Sequence, residues 1–110
     1  MKKEYRIRKN EEFAEIISKR HKAFNECYTF YFDYKKEDHS RVGISVSKKL
    51  GNAVVRNKTK RQVRMLVHDL IDLETFEFDL IIVVKNNYLE HNYEYNGLQL
   101  KNALNKCKIK

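Results

Sequence analysis

Apolar residues recur along this chain with two different periods. From Asn10, a capping amide with Glu11 and Glu12 after it opens a helix, and Phe13, Ile16 and Ile17 give it one apolar face to about Arg20. Tyr28 to Tyr34 changes period: Tyr28, Phe30, Phe32 and Tyr34 alternate with Thr29, Tyr31 and Asp33, which predicts a strand. A polar connection, KKEDHS, leads to Arg41–Ser47, where Val42, Ile44 and Val46 face one way and Gly43, Ser45 and Ser47 the other. Pairing the two strands as a hairpin puts these aliphatics beside Phe30 and Phe32 on a core face. The opposite face is small and polar, with Tyr31 standing on it. Gly and Ser weaken a strand without adding charge, so a shallow trough fits that face better than a merely solubilising surface.

A helix follows from about Ala53, with Asn52 as its cap. Val55, Thr59, Val63, Leu66, Val67 and Leu70 form its packing arc. Phe78–Lys85 carries five consecutive aliphatics, Leu80 to Val84, the mark of a central strand covered on both sides. Leu100, Ala103, Leu104 and Cys107 set the buried stripe of a last helix from about Glu94. Strands on either side of a helix predict a split βαβ arrangement in an α+β sandwich. At 110 residues, with no Pro, three Gly and no repeat or linker, the chain suits one domain spanning 1–110.

Charge changes the picture in one place. The formal net charge is +8, and between Arg41 and His68 there are eight Lys or Arg and no Asp or Glu. On the helix from Ala53, Arg56, Lys60 and Arg64 fall within about 80° of one another, extended by Asn57, Arg61 and His68. Solubilising charge usually mixes signs at i,i+4, whereas like-charged neighbours cost an isolated helix a few tenths of a kcal/mol per pair. An anionic partner compensates that repulsion, and the planar guanidinium fork suits phosphate. The stripe therefore points to nucleic acid.

Other chemistries find little support. The amino terminus, MKKEYRIRKN, lacks an apolar segment, and Leu80–Val84 is too short to cross a bilayer. A soluble, cytoplasmic protein with no membrane partner is expected. Cys27 and Cys107 have no CxxC or CxxH partner, and His21, His39, His68 and His91 make no HExxH pattern. Buried reduced thiols, and no metal site, are the expectation. Hydrolysis of a phosphodiester by protein alone needs clustered carboxylates or a His/Lys pair. The basic stretch has no acid, and Asp33, Asp38 and Asp69 read as surface charges. A ribosomal protein explains the charge but not the Gly/Ser/Tyr face. A DNA-binding regulator lacks a second helix arranged as a helix-turn-helix.

Ser47 to Met65 resembles the arginine-rich signature of the bacterial ribonuclease P protein subunit, roughly KxxGNAVxRNxxKRxxRE. The matching residues are Lys48, Gly51, Asn52, Ala53, Val54, Arg56, Asn57, Lys60, Arg61 and Arg64. Arg6-Ile7-Arg8, Glu12-Phe13, Tyr31 and Val42–Ser47 are also similar to family features. The resemblance implies an α-β-β(-β)-α-β-α two-layer sandwich with a left-handed βαβ crossover, like the second domain of ribosomal protein S5. It implies a non-catalytic subunit that joins a catalytic RNA, in a ribonucleoprotein removing the 5′ leader of precursor tRNA by endonucleolytic hydrolysis. Mg2+ held mainly by the RNA supplies the chemistry, and no obligate protein partner is implied. By position, Lys48, Lys49, Asn52, Arg56, Asn57, Lys60, Arg61 and Arg64 would contact catalytic RNA. Phe13, Ile17 and Tyr31, with Arg6 and Lys9 nearby, would line the leader trough. Two residues depart from the family pattern: Met65 replaces the usual Glu, and Ile17 replaces an aromatic in many relatives.

Overall fold

The computed structural model describes residues 2–108. Helix α1 (Asn10–Ser18) leads to strands β1 (Lys22–Phe24), β2 (Tyr28–Tyr34) and β3 (Val42–Val46); α2 (Ala53–Leu70), β4 (Phe78–Val84) and α3 (Tyr93–Asn105) follow. The order is the expected α-β-β-β-α-β-α, and the fold class is α+β. Among the described residues no helix is long and apolar enough to cross a membrane.

The sheet runs β1-β2-β4-β3. Strand β4 lies antiparallel to β2, with Phe30 opposite Ile82, and parallel to β3, with Ile44 opposite Ile82. This overturns two expectations. Strands β2 and β3 form no hairpin, because β4 stands between them. The βαβ unit is not split either, since β3 and β4 are direct neighbours. The physical reason is burial: Leu80, Ile81 and Ile82 are all fully buried, and a strand apolar on both faces is covered on both only away from the sheet edge. The polar connection from β2 to β3 instead wraps the start of β4. Lys35 N–H donates to the Glu77 carbonyl at 3.2 Å, the Ser40 hydroxyl to the Phe78 carbonyl, and Leu80 N–H to the Arg41 carbonyl at 2.9 Å.

The facing of the strands follows the alternation. Phe30, Phe32, Val42, Leu80, Ile82 and Val84 join Val63, Leu66, Val67, Leu100 and Ala103 in the main core, under α2 and α3. Ile81 points the other way and packs with Ile7 and Ile16, flanked by Phe13, Tyr31 and Val83, under α1. Leu70 departs from its expected packing role and stays 40% exposed at the end of α2. Asn10 is the first helical residue of α1 rather than its cap, and Lys9 before it supplies no side-chain hydrogen bond. Both cysteines are buried free thiols.

An ion cluster clamps α1 to the sheet. The Arg41 guanidinium meets Glu12 of α1 at 2.7 Å and Asp79 of β4 at 3.5 Å. Asp79 is 1% exposed. Burial pushes its carboxyl up, opposed by the Arg41 backbone N–H at 2.9 Å and by the Arg41 charge.

Gly43 is required where the Phe13 ring of α1 reaches β3. A Cβ there would lie 2.6 Å from Cζ of Phe13 and 3.0 Å from Cδ1 of Ile81. Gly43→Ala should therefore destabilise the protein by about 1–3 kcal/mol through overpacking. The denaturant midpoint measures this, and an unchanged midpoint would show that the Phe13 ring yields freely.

Candidate nucleic-acid interface

The basic helix is delivered by a tightly specified entry. The Ser47 hydroxyl accepts from Lys49 N–H at 3.0 Å, starting a short 3-10 turn (Lys48–Leu50) whose Leu50 is buried while Lys48 and Lys49 are exposed. Gly51 then takes φ 150°, in the region that favours glycine, and a Cβ there would meet Val55 at 3.1 Å. The Asn52 side-chain carbonyl accepts from Val55 N–H at 3.0 Å, capping α2 as expected. The carbonyl of the Asn52 amide is thus committed to the helix.

Along α2, Thr59, Val63, Leu66 and Val67 are buried. The charged side flanks them: Asn57 and Arg61 are exposed, and Arg56, Lys60 and Arg64 are half-buried. Among the described residues, none of Lys48, Lys49, Arg56, Lys58, Lys60, Arg61 or Arg64 forms an ion pair with a carboxylate. Nε of Arg56 is buried without a hydrogen-bond partner. The stripe is an array of donors lacking protein acceptors.

Arg6 joins this array rather than the trough. Its backbone bridges Val42 in parallel register, and Ile7 N–H donates to the Val42 carbonyl at 3.0 Å. That register sends Arg6 to the same sheet face as Val42, toward α2, and Ile7 to the α1 side. Arg6 accordingly lines one cleft with Arg61, Arg64, Met65, His68 and Asp69. Burial holds the Arg64 guanidinium below its usual pKa, and the like charge of Arg6 adds to that shift. Its sequence position beside the first helix gave no signal of this, because the bridge lies outside any strand long enough to show alternation. Met65 is 55% exposed on the rim of the cleft, and Asp69 is the acid beside it.

On the α1 side the trough residues assemble in part. Phe13, half-buried, stands over Gly43, so that glycine is covered and is not open floor. Tyr31, also half-buried, packs against the Ile7, Ile16 and Ile81 cluster. Ile17 is 38% exposed, and Lys9 is exposed just before α1. The register adds a row that sequence reasoning did not single out as lining: Thr29, Val83 and Ser45 stand side by side on this face, all half-buried. At the other end the Arg41 cluster closes the face.

The comparisons with known proteins agree with this geometry. The Ribonuclease P family model matches residues 1–108. The chain belongs to the ribonuclease P protein family. It is 43% identical over 101 residues to the ribonuclease P protein component of Mesoplasma florum, covering 91% of this chain and 92% of that one. Identity to the Streptococcus agalactiae component is 41% over 96 residues, covering 86% and 85%. The Staphylococcus aureus RNase P protein structure superposes with TM-score 0.83 at 37% identity, covering 96% of each chain. The Thermotoga maritima protein superposes with TM-score 0.80 at 26% identity, covering 94% of this chain and 98% of that one. The two solved structures share the fold of the ribonuclease P family member described here.

Proposed function

We propose that this chain is the protein subunit of the ribonuclease P ribonucleoprotein, which removes the 5′ leader of precursor tRNA. It binds the catalytic RNA through α2 and its entry turn, and it holds the leader against the α1 face of the sheet. Chemistry belongs to the RNA and its Mg2+ ions. The observation that carries this reading is the basic face of α2, folded, accessible and without acidic partners in the described structure.

The role of the protein follows from that charge. Two RNAs brought together repel through their phosphates, and Lys and Arg that release counterions reduce this cost. Holding the leader fixes the scissile phosphodiester relative to the RNA-bound metal, which contributes through positioning. A half-buried Tyr31 presents a ring that stacks an unpaired base for about 1–3 kcal/mol without reading its identity. Thr29 and Ser45 beside it supply hydroxyls for the backbone. Leaders of varied sequence suit such a surface.

Combined with its cognate catalytic RNA and labelled precursor tRNA, the purified protein should release the leader at low magnesium, and nothing should be released when the RNA is omitted. Cleavage by protein alone that survives nuclease treatment and disappears on mutating an acid would overturn the assignment.

Binding of catalytic RNA should weaken as salt rises, with a log-log slope of order 3 to 5 for about five phosphate contacts. Arg56→Ala and Arg61→Ala should each reduce the slope by roughly one, and Arg6→Ala should behave as they do. A flat salt response contradicts the basic-face assignment.

Tyr31→Ala should weaken precursor tRNA binding by the fold-change corresponding to about 1–3 kcal/mol while leaving mature tRNA nearly unaffected. Equal losses for both ligands would remove the leader from this face.

A further inference from the structure

At the far end of the sheet, Glu26 and Cys27 in the β1–β2 turn meet His91, just before α3. A carboxylate oxygen, a thiol sulfur and an imidazole nitrogen lie within 4.8 Å of one another. We propose that Glu26, Cys27 and His91 form a binding site for a thiophilic divalent cation of the Zn2+ class.

The donor set selects the ion. Thiolate and imidazole favour Zn2+ and its neighbours, whereas Mg2+ and Ca2+ take oxygen ligands. Nε2 of His91 and Oε2 of Glu26 are 3.8 Å apart. That is too far for a hydrogen bond and close to the roughly 3.3 Å edge of a tetrahedron with bonds of about 2 Å. Three protein ligands leave the fourth position to water.

Each ligand is held by a second residue. The Asn25 side-chain carbonyl accepts from the backbone N–H groups of Cys27 at 3.0 Å and Tyr28 at 3.1 Å, while its NH2 donates to the Gln99 carbonyl at 2.8 Å. Asn96, 1% exposed, donates to the His91 carbonyl at 3.4 Å and accepts from the Cys27 thiol at 3.6 Å. The Tyr95 hydroxyl donates to Glu26, and its ring lies 4.1 Å from the His91 ring, centroid to centroid. The contacts of Asn25 and Tyr95, and of Asn96 with the His91 carbonyl, hold the ligands in place before the ion arrives, whereas the Cys27 thiol gives up its bond to Asn96 when it loses its proton.

Cys27 is fully buried, but Glu26 is exposed and His91 half-buried, so an ion enters over the latter two. Burial, and after it the Glu26 charge, raise the Cys27 thiol above its usual pKa, opposed by nearby Lys85. Ligation forms the metal–sulfur bond and releases the thiol proton to solvent. The bound ion ties the β1–β2 turn to the segment entering α3.

Co2+ tests this as an optical stand-in for Zn2+. The reduced, metal-stripped chain should bind one equivalent, with thiolate-to-cobalt charge-transfer absorption in the near ultraviolet and tetrahedral bands in the visible. One equivalent of Zn2+ should displace it and excess Mg2+ should not. His91→Ala should weaken binding about ten-fold or more. Cys27→Ser should abolish the charge-transfer band, and Cys107→Ser should preserve it, with circular dichroism reporting the fold of each variant. Should Cys27→Ser not fold, the Co2+ affinity of His91→Ala decides between site and no site. Absence of a saturable band overturns the proposal, as does equal Co2+ affinity in the wild type and His91→Ala.

Discussion

Burial of β4 on both faces is the constraint from which the other placements follow. Leu80, Ile82 and Val84 fill the core beneath α2 and α3, and Ile81 fills the smaller core beneath α1. Removing each such side chain from water contributes about 1.5–3 kcal/mol, a total no edge position could retain. Once β4 holds the centre beside β3, the chain between them must leave the sheet, cross one face and return parallel. That crossover is α2. Its apolar arc is therefore committed to the sheet, and its charged flank is left outside.

The same constraint explains the two faces of the sheet. On the α2 side α2 and α3 cover most of the large aliphatic and aromatic residues, and Ile44 and Val46 of β3 stay half-buried. On the other side the nine-residue α1 covers only part of the surface, anchored by Phe13 over Gly43 and by Glu12 on Arg41. The row formed by Thr29, Val83 and Ser45 remains half-exposed. The small, polar character of these positions serves two purposes at once. Gly43 admits the close approach of the Phe13 ring, and Ser45 leaves room beyond it.

Much of this was legible in the chain because alternation reports facing directly. Val42, Ile44 and Val46 share a face with Phe30 and Phe32 as their period requires, although β4 and not β2 is their neighbour. Alternation carries no information about which strand lies alongside. The three-residue β1 was too short to display a period, and its Lys22 and Phe24 are exposed. Arg6 was misplaced for the same reason, since an isolated bridge has no pattern of its own. The α2 stripe was fully legible, because eighteen residues of helix turn spacing into geometry. The group at Glu26, Cys27 and His91 left no trace in spacing. It exists only because the β1–β2 turn and the segment entering α3 meet at one end of the sheet.

Charge and packing on α2 are finally a single problem. Arg6, Arg61 and Arg64 converge on one cleft, and desolvation together with mutual repulsion already disfavours the charged form of Arg64. The apolar arc of Val63, Leu66 and Val67 holds the helix in place against that repulsion. Among the described residues folding gives these guanidinium groups no ion pair, since Asp69 in the same cleft pairs with His68. A polyanion that bridged them would remove the repulsion and gain charge-assisted hydrogen bonds in the same step.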